Sequence, residues 1–281
     1  MFYRLIRKIP KSLYWGFSFL YRTIKNFFNA HGIILSNSLA FSLILSFVPF
    51  VVAIAILSSK LPLSSDIVRN IEYFYFNKFI PQSGQAVYSQ FKFSFANSHQ
   101  LSWLGTISLV ISSYSMMFTT EQHINMMFRI TKSRKFWKLI LNHSLILICG
   151  FLLIYQFGLL SNLVEQYISG QDLRYFINMS FAHCFTAFVF FCCYKFMPKR
   201  KINWKNALIC TVLATTSFIF VQGYFILSIQ HFRNEYYLLY GSLVMLPIFL
   251  LWVYCEVFII LFFAQMLHSL ESPNFRTKFV K

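Results

Sequence analysis

The sequence predicts an all-α polytopic membrane protein with six transmembrane helices, and three observations lead there. Only 12% of its 281 residues are charged and 57% are hydrophobic, whereas a soluble domain carries about 25% charge. The apolar residues come in continuous stretches of about 20, the length that crosses a hydrocarbon core at 1.5 Å per helical residue. They lack the alternation of a transmembrane β-strand. Lys and Arg, finally, fall in short clusters between these stretches. A net charge of +17 would suit nucleic acid if it formed one basic face. Broken into clusters, it reads as positive-inside bias, and no nucleic-acid partner is expected.

The elements follow in order. Residues 1–33 form a basic segment in which Arg4, Arg7, Lys8, Lys11, Arg22 and Lys25 occupy an arc of about 100° if it is helical. Leu13, Phe17, Leu20 and Phe27 lie opposite. The segment has no clean apolar core and no small-residue cleavage site, so it is not expected to be a signal peptide. It is expected to lie in the interface, with its cations toward the anionic headgroups of a lipid bilayer.

A bundle over 34–268 then holds spans at 34–58, 101–120, 139–161, 175–197, 206–229 and 242–268, with a tail at 269–281. Nineteen Lys and Arg flank one side of this arrangement and six the other, which places both termini in the cytoplasm. The outer loop 59–100 is aromatic and broken by Pro81 and Gly84, and reads as two short amphipathic surface helices. No internal repeat marks it as an inverted-repeat transporter. Residues 1–281 are read as one integral membrane domain.

The first span, "SNSLAFSLILSFVPFVVAIAIL", combines apolar length with Ser38, Ser42, Ser46 and Pro49. These share an arc of about 80°, and Pro49 removes a helix hydrogen bond. Span two repeats the device with Ser108, Ser112, Ser115, Thr119 and Gln122. Such stripes either let helices approach closely or line a hydrated groove. Glu256 is the one acid near the middle of a span, about 21 Å from the outer end of span six. A charge at that depth costs about 2.5–3.5 kcal/mol, so the carboxyl is expected to be neutral, paired or wetted. His143 and His183 lie in spans without a partner His at helical spacing.

The six cysteines show no CxxC or Cys/His ligand spacing. No nucleophile elbow, zinc-protease motif or phosphate-binding loop is present. Neither metal, cofactor nor enzymatic activity is expected.

Four stretches in order resemble the YihY/BrkB family of bacterial integral membrane proteins, once labelled ribonuclease BN. "SNSLAFSLILSFVPFVVAIAIL" is similar to the family's first-span pattern. "INMMFRI", with Asn125, is similar to its stretch after span two. "FMPKRKINWKNAL" resembles its next cytoplasmic loop, placing Pro198, Arg200, Trp204 and Ala207 on pattern positions. "YGSLVMLPIFLLWVYCEVFIILFFAQM" resembles its ending, matching Tyr240, Gly241, Leu251, Trp252 and Tyr254. The resemblance implies a six-helix bundle in the bacterial inner membrane, of uncharacterised activity. One departure matters: the family's Gly-Ala-Glu reads Phe263-Ala264-Gln265 here. Glu256 is nine residues away and about 180° around the helix, so it does not replace that acid on the same face.

The leading expectation is a transporter or lipid-handling protein of the cell envelope, acting on a lipid or small-molecule substrate. The alternative is a structural or partner-binding membrane protein without transport. A ribonuclease is disfavoured. It would need acids and histidines converging on one cytoplasmic site, and Glu121, Glu271, His31, His123 and His268 are spread along the chain.

Overall fold

The computed structural model describes residues 11–60, 103–130, 170–240 and 245–272, with residues 137, 138, 140–145, 148, 149, 152 and 156 between them. The expected surface helices of 59–100 and most of the third span lie outside the described residues, as do the ends of the chain. Among the described residues stand six long α-helices: α1 (Lys11–Asn29), α2 (Gly32–Lys60), α3 (Trp103–Met127), α4 (Gln171–Phe196), α5 (Trp204–Tyr240) and α6 (Met245–Glu271). The described positions between 137 and 156 are helical too. Among the described residues, three helices are long and apolar enough to cross a membrane, over Met179–Phe196, Trp204–Leu227 and Phe249–Glu271. Gly16–Asn29 and Gly32–Ser46 pass the same test together, across a bend of 64°.

That bend has a local cause. His31 takes a left-handed backbone, φ 56°, which ends α1, and its N–H donates to the Phe28 carbonyl at 3.0 Å. Phe27 turns inward beneath the bend. It meets Phe258 of α6 at 5.0 Å and Phe262 at 5.7 Å between ring centroids, both edge-on, an arrangement aromatic quadrupoles favour. The apolar side expected of the amino-terminal segment is therefore split. Phe27 is buried, while Phe17 and Leu20 stay exposed beside Tyr21, Ile24 and Phe28.

α6 is the axis of the molecule: it packs against each of the other five helices. This explains why its buried residues run all round it, from Glu256, Val257 and Ile259 to Leu261, Ala264, Gln265 and Leu267. α5 packs against both α6 and α4, and its buried residues are Ala207, Cys210, Thr211, Ala214, Thr215 and Phe218, spaced by three and four, with Phe218 edge-on against Phe190 of α4. Small side chains there let two helices approach closely. α4 adds Tyr194, fully buried, whose hydroxyl donates to the Ile260 carbonyl of α6 at 3.2 Å.

Two helices are longer than their apolar stretches. α3 was expected to end at 120 and continues to Met127; α5 was expected to end at 229 and continues to Tyr240. Hydropathy ends a span at its first run of polar residues. The backbone of "EQHINMM" or "IQHFRNEYYLLY" meets no Gly or Pro and keeps its helix. α3 stops where Arg129 adopts φ 57°. The Ile130 N–H then reaches the Asn125 carbonyl and the Arg129 N–H the Met126 carbonyl, both at 2.9 Å. That is a Schellman closure, built here without its usual glycine.

Candidate functional site

Glu256 sits on α6, 8% exposed, and neither carboxyl oxygen has a hydrogen-bond partner. Trp252, one turn earlier, lies close enough to act on the carboxyl, but its indole N–H makes no bond of good geometry with it. Gln265 is fully buried on the opposite face of the same helix, and both of its amide atoms are also without a partner. On α5, the Thr211 and Thr215 hydroxyls are buried and unpartnered.

These two threonines depart from the ordinary behaviour of the chain. Thr120, Thr186 and Thr216 each donate to the carbonyl one turn back, of Met116, Ala182 and Val212, at 2.9 to 3.0 Å. A buried polar group left unpaired costs about 1–3 kcal/mol. Each of these four side chains, on two packed helices, is a place where water, a proton or a polar ligand would find an unmet partner.

The hydroxyl stripes are placed differently. On α2, Ser38 is exposed, Ser42 half-buried and Ser46 buried, while Ser36, Leu39 and Ala40 form the packed face. The helix runs through Pro49 without interruption; the Pro49 side chain lies outside the described residues. On α3 the packed face is Met117, Thr120, Ile124 and Phe128. Ser112 and Thr119 are half-buried, and Ser115 and Gln122 exposed, on the other side. Thr119 donates to the Ser115 carbonyl at 2.8 Å. No hydrogen bond joins Ser115 or Thr215 to Glu256.

A second polar group, not foreseen as a unit, gathers at the end of the bundle where α3, α4 and α6 finish and α5 begins. Glu121, read from the sequence as a residue of the cytoplasmic side, is buried within α3, and its Oε2 lies 3.0 Å from Nε2 of the fully buried His143. Nearby, the Tyr114 hydroxyl and Ser144 Oγ are 2.6 Å apart. The signal for this pair was present. A short connection makes consecutive helices antiparallel neighbours, so residues about equally far from the loop meet.

Asn125 ties α3 to the loop after α4. Its Oδ1 accepts from the Lys199 N–H at 2.8 Å, and its Nδ2 donates to the Glu121 carbonyl at 2.9 Å and the Met197 carbonyl at 3.5 Å. Glu271, in the last turn of α6, accepts through Oε1 from the Asn203 N–H at 3.0 Å and Asn206 Nδ2 at 2.7 Å. Asn203 caps α5 by accepting from the Lys205 N–H at 3.1 Å, so the Glu271 carboxylate faces the positive end of a helix dipole. Arg200 donates to the Glu271 carbonyl at 3.2 Å. Trp204 is exposed, with the Lys195 ammonium 4.7 Å from its ring centroid and Phe191 at 5.3 Å. Asn125, Pro198, Arg200 and Trp204, singled out separately in the sequence, thus meet in one place. Trp252 is half-buried at 6.1 Å from Phe249, Tyr240 ends α5, and Gly241 lies outside the described residues.

A family model described as virulence factor BrkB matches residues 23–278. The chain belongs to the BrkB family. Its relatives include a UPF0761 membrane protein of Psychrobacter sp. (strain PRwf-1), 28% identical over 277 residues, covering 95% of this chain and 51% of the relative. A UPF0761 membrane protein of Chromohalobacter salexigens is 25% identical, covering 85% and 60%, and one of Alteromonas mediterranea is 26% identical, covering 84% and 81%. The chain therefore spans about half to three-fifths of the first two relatives. No solved structure matches it. As a BrkB-family membrane protein, it carries a buried amide at 265, where the resemblance implies an acid. The acid that α6 buries in its midsection is Glu256.

Proposed function

We propose that this BrkB-family protein is a transporter or lipid-handling protein of the bacterial inner membrane, spanning it six times with both termini in the cytoplasm. The observation that carries this reading is Glu256, an acid buried at the middle of the central helix with no partner for either oxygen. An ionisable group retained inside a membrane bundle marks a pathway for protons, ions or substrate more readily than it serves packing. The buried, unpartnered side chains of Thr211, Thr215 and Gln265 on the same two helices add further polar groups to the interior of the bundle. No chemical conversion is part of this reading, and neither a cofactor nor a nucleic acid takes part.

α1 supports an interfacial placement. Its exposed Phe17, Leu20, Tyr21, Ile24 and Phe28 share one face, and Arg22 and Lys25 are exposed beside it. Such a helix lies at the headgroup level, with its cations on anionic lipid.

The test is complementation of a deletion strain with wild type and with Glu256→Gln, followed by lipid and metabolite profiling. Glu256→Gln should fail to restore the wild-type profile at equal protein abundance. A variant that restores it in full overturns the role given to Glu256.

A further inference from the structure

Glu256 is buried by more than nine-tenths, and neither of its oxygens has a hydrogen-bond partner. An ion in that position forfeits its hydration and receives nothing in return, so a buried carboxyl is either paired or gives up its charge. A neutral acid loses far less.

No counter-charge meets it. Arg22 and Lys25 of α1, His31 and Lys205 of α5 are exposed, and residues 32–46 of α2 include no ionisable group. On α3, Tyr114 meets Ser144, Glu121 pairs with His143, and the His123 Nδ1 lies 2.7 Å from the Thr119 carbonyl. On α4, Tyr194 and Lys195 donate to the Ile260 and Ile202 carbonyls. That helix also carries His183 and the thiols of Cys184, Cys192 and Cys193, and α5 carries Cys210. On α6 itself Tyr254 and Cys255 adjoin Glu256, while His268 and Glu271 lie about 18 and 22 Å along the axis. None of these groups bonds to either Glu256 oxygen.

The same surroundings choose between a proton and a metal cation. A hard cation takes six or more oxygen ligands. Around Glu256 the backbone is unbroken helix from Met245 to Glu271, so its carbonyls are committed to helix bonds. Among the described residues no group of three or more His, Cys, Asp or Glu could hold a metal ion. A proton needs one oxygen only.

Building on Glu256 as the pathway residue, we infer that the species it binds is a proton, that the packed arrangement around α6 is the protonated form, and that release of the proton requires this packing to open to water. Binding forms one O–H bond with a proton taken from water, and release breaks it; no electrons are transferred. The packed form then holds one proton more than the open form. It is favoured as pH falls and loses ground as pH rises.

The experiment is infrared spectroscopy of the purified full chain in phosphatidylcholine vesicles, with amide hydrogen exchange on the same samples. At neutral pH wild type should show the C=O band of a protonated carboxyl, sensitive to heavy water. Glu256→Gln should lose that band, and Glu256→Asp should keep it at a shifted frequency. Raising the pH should abolish the band in wild type. After correction for the intrinsic pH dependence of exchange, it should also remove protection from the middle of α6. In Glu256→Gln, whose amide does not ionise, that protection should persist. The proton is overturned if Glu256 is ionised at neutral pH, or if its band survives at every pH at which the chain stays folded. It is equally overturned if sodium, potassium or calcium removes the band at fixed pH, or if wild type and Glu256→Gln lose protection alike. None of these measurements requires transport. Full rescue of the deletion strain by Glu256→Gln overturns the transport role and leaves the band, whereas a missing band overturns the proton and leaves that role.

Discussion

Gly32 shows how one missing methyl group shapes the entry to the bundle. A Cβ at that position would lie 2.4 to 2.5 Å from three atoms of the Phe27 ring. The ring cannot swing aside, because it is 1% exposed and wedged edge-on against Phe258 and Phe262. Gly32→Ala should therefore destabilise the protein by about 1–3 kcal/mol, the usual cost of overpacking. A lowered thermal midpoint in detergent would show it, and an unchanged midpoint would refute the tight fit. Nothing in "NAHGIIL" announces this role, since a glycine after a helix reads first as a cap. It is His31, not Gly32, that adopts the left-handed backbone. Glu256 lies at the other extreme of legibility. An acid in the middle of an apolar run stands out by charge alone, and its burial follows from position. Its lack of any partner does not, because that depends on which faces of α5 and α6 meet.

At the level of elements, the loop 197–203 is held by side chains from helices distant in sequence. Asn125 and Glu271 satisfy the Lys199 and Asn203 amides. This is why α4, α5, α3 and α6 end in register. Asn125→Ala removes the side-chain hydrogen bonds to the Lys199 N–H and the Met197 carbonyl, a loss of about 0.5–1.5 kcal/mol each. Amide hydrogen exchange should accelerate at Lys199 and through this loop while the middle of α4 keeps its protection. Exchange that stays unchanged at Lys199 would deny Asn125 the role. The helices themselves were readable from hydropathy, because about 20 apolar residues admit few other structures in a membrane. Their ends were not. Hydropathy reports where the solvent changes, whereas a helix stops where the backbone is capped or broken. The Schellman closure at Arg129 and the Asn203 cap carry no apolar signature. Resemblance to the family pointed to Asn125, Arg200 and Trp204 without saying that they meet.

For the molecule as a whole, the central place of α6 sets a conflict between stability and use. Packed against five other helices, it exposes Leu250 and Leu251 near its start, but from Glu256 to Ser272 no residue is exposed. Glu256 and Gln265, on opposite sides, are both buried and unpartnered. A chain shaped for stability alone would hold apolar residues at both positions, since replacing a buried, unpaired polar group by one of similar volume removes its desolvation cost. Glu256→Met should accordingly raise the thermal midpoint of the purified protein while failing in complementation. The two readings of this residue diverge here. A pathway residue lost to methionine leaves a firmer, inactive protein, the trade expected where activity needs a destabilised site. A packing residue that finds its partner only in the membrane, through lipid or ordered water, would leave a weaker protein, and activity would fall with abundance. Measuring midpoint and complementation on the same variant separates them. A midpoint below wild type, with activity falling only as far as protein level, would return Glu256 to the structural residues of α6.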